Sequence, residues 1–190
     1  MADTAYTAPP ANALQVQQRA SLREFNSFGL PAVAATLVRL ATEADVRRVV
    51  DHPDYGVAPK FVLGGGSNVV LTRDVPGVVL KVEIGGRRLL RTEREAWIVE
   101  AGAGENWHDF VAWTLQQGWP GLENLALIPG QVGAAPVQNI GAYGVELKDR
   151  FESLDAVDLT TGRRVTLDAS ACRFGYRDSV FKQHLVNKTV

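Results

Sequence analysis

The 190-residue sequence contains one cysteine and no apolar run near the length of a membrane span. A single cysteine excludes an intrachain disulfide, no zinc-ligand spacing is present, and we interpret Cys172 as a small buried apolar residue. Twenty basic and 21 acidic residues give a net charge of −1, so charge offers no basis for binding nucleic acid or an anionic membrane. The first twenty residues have neither the basic start nor the apolar run of a secretory signal. We therefore expect a cytoplasmic protein with no metal, nucleic-acid or membrane partner.

The most unusual stretch is residues 121–147, GLENLALIPGQVGAAPVQNIGAYGVEL, which we call the central segment. Glycines and prolines interrupt it too often for a regular helix or strand, and it is too apolar for an ordinary exposed loop. Glycine lets a backbone approach a ligand closely, and long ordered loops often bind one. The polar groups on offer are backbone amides, Gln138, Asn139 and Tyr143, which suit a flat hydrogen-bonding cofactor better than a metal. The alternative is a buried crossover between two lobes, and composition alone favours neither.

A second glycine-rich stretch is residues 64–68, GGGSN, which we call the glycine loop. It follows a predicted strand at 60–63, and the Val-Val-Leu after it favours an extended chain. A Rossmann-type site needs its glycines to open a helix, so that type of site is disfavoured. We interpret the loop as a nest of backbone amides able to hold a pyrophosphate. A glycine-rich hairpin turn is the alternative.

Local patterns predict an α+β chain of two small lobes with the central segment running between them. Thr42 and Asp45 form a capping-box pattern that starts a helix, which ends before Pro53. A third glycine group at 102–104 is interpreted as a tight strand-to-helix turn. We expect a mobile N-terminal extension at 1–20, a first lobe at 21–84 and a second lobe at 85–190. The other predicted elements are strands at 34–40, 77–82 and 97–101, a helix at 105–117, a hairpin at 151–159 and 164–167, and a helical turn at 168–172.

Four motifs in order, GGGSN, LENLALIPG, QNIGAYG and CRFGYRDS, make the chain resemble the UDP-N-acetylenolpyruvoylglucosamine reductase family. The resemblance implies an enzyme that uses FAD and NADPH to reduce UDP-N-acetylglucosamine enolpyruvate to UDP-N-acetylmuramate for bacterial peptidoglycan. It also implies a two-lobed FAD-binding domain of the vanillyl-alcohol-oxidase/para-cresol-methylhydroxylase type. The family's chains continue well past residue 190, so we expect only the flavin-binding portion, without the C-terminal substrate domain, and a monomer.

The resemblance implies roles for individual residues. Arg177 matches the family's catalytic arginine, while Tyr176 and Tyr143 are expected to contact substrate. Without the resemblance, an ion pair of Arg177 with Asp178 or another acid would be the simpler interpretation. The expected FAD contacts are Leu63, Gly64, Gly65, Gly66, Ser67, Asn68, Val69, Ile128, Pro129, Gly130, Gly133, Ala134, Ala135, Gln138, Asn139, Ile140, Gly141 and Ala142.

The chain departs from the family pattern in two ways. Residues 133–136, GAAP, stand where many relatives carry serines before the proline; backbone amides can replace these hydroxyl donors to the flavin, so this departure affects only the list of FAD contacts. The family's proton-donating serine and late glutamate match no residue of this chain, and Ser179 is expected only to shape its turn. The alternatives are a non-catalytic FAD-binding fragment and another flavin oxidoreductase of the same architecture.

Overall fold

The computed structural model describes residues 13–94 and 96–190. This part of the chain combines short helices with one larger sheet and three two-stranded sheets. The strands are β1 (Gln15–Ser21), β2 (Val33–Leu40), β3 (Lys60–Leu63), β4 (Val75–Val82), β5 (Arg87–Glu93), β6 (Ala96–Ala101), β7 (Gly141–Ala142), β8 (Val145–Glu146), β9 (Ser153–Val157) and β10 (Arg164–Asp168). The α-helices are α1 (Glu43–Asp51), α2 (Trp107–Gln116), α3 (Ala169–Cys172) and α4 (Val180–Gln183).

The main sheet has the strand order β1-β2-β4-β3. Strands β2, β4 and β3 are parallel, and β1 is antiparallel at one edge. The parallel strands are buried on both faces, as their near-continuous apolar sequences require. Val38, Leu80 and the apolar side of α1 form the core on one face. Leu22, Leu37 and Val79 belong to the core on the other.

Helix α1 begins with the predicted capping box. The Thr42 hydroxyl accepts a hydrogen bond from the Asp45 amide, and the Asp45 carboxylate accepts one from the Thr42 amide. These bonds satisfy donors that a helix N-terminus otherwise leaves unpaired. Val46 and Val49 are fully buried against the sheet. The helix ends at Asp51, before Pro53, as predicted.

Strand β1 corrects the predicted mobile extension. Residues 15–20 lie in this strand, and all of them except Arg19 pair with β2 in one register. The strand is mostly exposed, so its sequence carries no apolar alternation, and it is held by backbone hydrogen bonds to β2. The rest of the predicted extension, residues 1–12, lies outside the described residues.

The central segment encloses a third core with helix α2. Trp107, Phe110 and Val111 of α2 pack against Leu125 and Leu147. The segment contains two 3₁₀ helices, Glu123–Leu125 and Val132–Gln138, and the β7–β8 hairpin. It is therefore an ordered, internally packed structure. This packing holds in place the part of the central segment that faces residues 64–68.

The β9–β10 hairpin and the last residue pack against the first core. Val157 and Leu159 are buried among residues of β2, β4 and α1. The Val157 amide donates to the Val190 carbonyl over 2.7 Å, and Val190 donates back over 3.1 Å. Residues of the predicted second lobe thus share a core with the first lobe, while the lobe boundary near residue 85 stays a prediction.

Candidate functional site

The structure brings the glycine loop and the central segment into contact. A Cβ built on Gly65 would lie 3.5 Å from the Cα of Gly130. A Cβ built on Gly130 would lie 3.3 Å from the Ser67 Oγ. The two backbones approach this closely because glycine is present on both sides of the contact. The two stretches singled out in the sequence therefore lie directly against each other.

The glycine loop leaves its backbone amides free. Within residues 13–94 and 96–190, the amides of residues 65–68 donate no hydrogen bond to a protein acceptor. Successive unpaired amides in a tight loop form a nest that favours an anion. The Val-Val-Leu sequence suggested that the chain continues as a strand directly after the loop. The next strand instead begins at Val75, and residues 69–74 form an irregular connection.

Gly66 fixes the back of this loop. Its φ is +69°, and a Cβ there would lie 1.9 Å from the Phe25 carbonyl oxygen. Its own carbonyl accepts a hydrogen bond from the Ser27 amide over 3.2 Å. Only glycine fits both the backbone conformation and the close approach. The loop therefore packs directly against the backbone of the turn at residues 25–27.

Gln131 contributes an unpaired polar atom beside the glycine loop. Its Nε2 donates to the Gly104 carbonyl over 2.9 Å, which fixes the orientation of the side-chain amide. Its Oε1 is buried and has no hydrogen-bond partner in the described part of the chain. A Cβ on Gly64 would lie 3.1 Å from this oxygen. Buried polar atoms are normally paired, so this acceptor indicates a missing donor.

These features fit FAD. The diphosphate of FAD is the anion that an amide nest accepts, and its hydroxyl and N–H groups are donors for an acceptor such as Oε1 of Gln131. Sequence reasoning did not single out Gln131. The only signal was an amide side chain inside the apolar PGQVG stretch.

The third glycine group supports packing, as interpreted from the sequence. A Cβ on Gly104 would lie 2.5 Å from the Glu83 carbonyl carbon. The Gly133 amide donates to the Ala103 carbonyl over 2.9 Å. Residues 102–104 thus join α2 and the central segment to the end of β4.

The FGYRDS turn is tied to the central segment. Asn139 is 1% exposed, and its Nδ2 donates to the Gly175 carbonyl over 3.0 Å. Its Oδ1 accepts from the Lys148 amide over 3.0 Å, so both polar atoms of the side chain are occupied. Ser179 donates from its hydroxyl to the Val137 carbonyl and caps α4, consistent with a structural role. The side chain of Asn139 is therefore engaged within the protein, and the predicted contact with FAD stays a prediction for the Asn139 backbone alone.

Arg177 is exposed and does not pair with the neighbouring acid. Asp178 accepts a hydrogen bond from Gln183, and no ion pair of Arg177 occurs within the described ranges. Arg177 and Tyr143 have φ values of +50° and +51°. Residues other than glycine rarely adopt this backbone conformation, and six others in the described chain also have it. Tyr143 is 87% exposed at the tip of the β7–β8 hairpin, and Tyr176 is 84% exposed.

The remaining expected FAD contacts differ in exposure. Three can offer little beyond their backbone because they are buried: Leu63, Gly66 and Ala135. Six are exposed: Gly65, Asn68, Pro129, Gly133, Ala134 and Gly141. Eight are half-buried: Gly64, Ser67, Val69, Ile128, Gly130, Gln138, Ile140 and Ala142. All of these assignments stay predictions.

The described ranges contain neither a metal-binding cluster nor a helix able to span a membrane. No cluster of three or more His, Cys, Asp or Glu side chains that could hold a metal ion is found there. None of the described helices has the length and apolar character needed to span a bilayer.

The FAD-binding domain family matches residues 34–168, which is most of the chain. The chain belongs to the FAD-binding domain family. It is 60% identical over 180 residues to the UDP-N-acetylenolpyruvoylglucosamine reductase of Azoarcus sp. strain BH72, covering 93% of this chain and 51% of that protein. The resemblance that the four motifs indicated is thus confirmed. The chain spans about half the length of the curated relatives it matches.

Solved structures agree with this assignment. The UDP-N-acetylenolpyruvylglucosamine reductase of Thermus caldophilus superposes with a TM-score of 0.69 at 28% identity, covering 88% of this chain and 57% of that one. The 6-hydroxy-D-nicotine oxidase of Arthrobacter nicotinovorans gives a TM-score of 0.62 at 17% identity, covering 86% and 38%, which shows the fold alone. The predicted α+β FAD-binding fold is confirmed.

Proposed function

We propose that this chain forms the FAD-binding part of an NADPH-dependent reductase that converts UDP-N-acetylglucosamine enolpyruvate to UDP-N-acetylmuramate. The observation that carries the proposal is the glycine loop, whose free amides face no protein acceptor in the described residues and which contacts the central segment. The names of the similar reductases supply the substrate. The same proposal assigns the whole protein to peptidoglycan precursor synthesis in the cytoplasm.

The chain's own residues would bind and orient the cofactor. The amides of residues 65–68 would hold the diphosphate, and Oε1 of Gln131 would accept a hydrogen bond from a donor of the cofactor. Bound FAD would supply the hydride chemistry, taking a hydride from NADPH and passing it to the enolpyruvyl double bond. The contacts of the central segment with α2 would keep the site ordered before the cofactor arrives.

Arg177 would act on the substrate. Its guanidinium forms no ion pair within the described residues, so it is available for an external carboxylate. Reduction of an enolpyruvyl group develops negative charge beside the substrate carboxylate, and a fixed guanidinium stabilises that charge by bidentate hydrogen bonds. Tyr143 and Tyr176 would provide exposed aromatic surface for the same substrate.

The test is the visible spectrum of the purified chain after FAD is added and the unbound cofactor is removed by desalting. We expect a retained flavin spectrum that bleaches when NADPH is added without oxygen. A retained spectrum that does not bleach would favour the non-catalytic flavin-binding alternative. A colourless protein would contradict the flavin proposal itself.

A further inference from the structure

Lys81 is a buried cation directly behind the glycine loop. It lies on β4, level with Arg39 on β2 and with Leu63 on β3, and is 7% exposed. Its Nζ donates to the Gly64 carbonyl over 3.0 Å and, more weakly, to the Val82 carbonyl over 3.4 Å. Neither partner is charged. The ammonium group therefore contacts the first residue of the loop through a backbone oxygen.

Lys81 lies near one acid and one base, and these two pair with each other. Glu83 pairs with Arg39 over 2.5 Å, and Lys81 forms no ion pair of its own with any residue in 13–94 or 96–190. Burial lowers the pKa of Lys81, Glu83 raises it, and Arg39 lowers it by less than Glu83 raises it. A buried ammonium group that forms no ion pair is costly, and the cost falls when an anion binds nearby.

The hydrogen bond to Gly64 also orients the loop. No cis peptide bond occurs in the described chain. In a planar trans peptide the carbonyl and the following N–H point in opposite directions. Because the Gly64 carbonyl points to Lys81, the Gly65 amide points away from it. This amide is the first of the free amides at residues 65–68.

We propose that Lys81 is a positioning residue for the cofactor diphosphate, fixing the Gly64–Gly65 peptide and supplying positive charge behind the amide nest. This inference rests on the proposed binding of FAD. It assigns a function to a side chain outside the four sequence motifs. It also explains why a lysine occupies the central strand of a buried parallel sheet.

Lys60 provides a matched control. It lies on the neighbouring strand β3, and its Nζ likewise donates to two backbone carbonyls, those of Gly56 over 2.7 Å and Ala58 over 3.2 Å. Burial also lowers the pKa of Lys60. It stands at the start of β3, at the opposite end from the glycine loop. Lys60→Met and Lys81→Met therefore remove the same kind of group at different distances from the site.

The experiment measures dissociation constants for FAD and for riboflavin, which lacks phosphate, in the wild-type chain and both variants by titration calorimetry. A hydrogen bond to a charged group has the strength to change binding about tenfold or more. We expect Lys81→Met to raise the dissociation constant of FAD by roughly that factor and that of riboflavin by much less. Lys60→Met should change neither dissociation constant. Thermal melts without flavin identify any variant that fails to fold.

The outcomes separate this inference from the proposal beneath it. Equal weakening of FAD and riboflavin by Lys81→Met, or no weakening of either, would overturn the role of Lys81 and leave FAD binding intact. A Lys81→Met variant that does not fold would show that Lys81 acts on stability and would overturn it also. A wild-type chain that binds no FAD would refute the proposed function and this inference with it.

Discussion

Replacing Gly66 with alanine tests whether the glycine loop depends on its contact with the turn at residues 25–27. Gly66 has a φ of +69°, and an added Cβ would meet the Phe25 carbonyl oxygen at 1.9 Å. That partner is backbone, so it cannot rotate away as a side chain could. The loop and the turn would have to separate.

Gly29 allows the cost of the left-handed backbone conformation to be measured separately from the cost of the steric contact. Its φ is +62°, but an added Cβ would meet nothing within 4 Å. Gly29→Ala thus carries only the cost of the left-handed conformation, about 1–2 kcal/mol. Gly66→Ala carries that cost and an overpacking term of about 1–3 kcal/mol, so we expect a total loss of about 2–5 kcal/mol of unfolding free energy.

Urea unfolding of both variants gives the two free energies, and desalting after FAD addition gives the retained cofactor. We expect Gly66→Ala to lose more stability and to retain less FAD than Gly29→Ala. The reasoning would be refuted if the two variants had equal stabilities and equal FAD retention. That result would mean that the close contact of Gly66 with Phe25 does not constrain the loop.

Three further predictions follow from single residues. Burial raises the pKa of Cys172 to about 11, so a thiol reagent at pH 8 should react with it only after unfolding, as absorbance would show. The pKa of Glu105 lies below its ordinary value, chiefly because the Gly86 amide donates to its carboxylate. Its stabilisation is present above the ordinary pKa and lost as pH falls through the folded value. The stability advantage of wild type over Glu105→Gln, about 1–2 kcal/mol at neutral pH, should therefore shrink below about pH 4.5 in urea titrations. Arg177→Met should leave the FAD dissociation constant unchanged in titration calorimetry, because the proposed partner of Arg177 is the substrate carboxylate, whereas the amides of residues 65–68 are the proposed partners of the FAD diphosphate.

Elements whose signals are local could be predicted from the sequence. The capping box at Thr42 depends on side chains three residues apart, and the structure has it. The strand at residues 60–63 also follows from a short pattern, as does the hairpin predicted at 151–159 and 164–167, which the structure has as β9 and β10. Composition and motifs indicate the glycine loop and the central segment, because a backbone that requires glycine shows this requirement directly in its sequence.

Elements that depend on distant partners could not be predicted in this way. Strand β1 is exposed along most of its length, so only the free edge of β2 makes it a strand. The β9–β10 hairpin gives no sign in its own sequence that Val157 and Leu159 belong to the first core. Neither packing partner lies nearby in the chain, and each pairing is decided by the geometry of the whole sheet.

The same argument applies to the two side chains that most sharpen the candidate site. Gln131 is an ordinary amide in the sequence, and its significance appears only when Gly104 occupies Nε2 and leaves Oε1 buried without a partner. Lys81 looks like a polar interruption of an apolar strand until the register of β3 places it under Gly64. Both are buried polar groups at the same loop: Oε1 of Gln131 is an acceptor without a donor, and the Lys81 ammonium is a charge that forms no ion pair within the described residues. Burying such groups costs free energy, and a ligand that carries both hydrogen-bond donors and negative charge, as FAD does, would offset that cost.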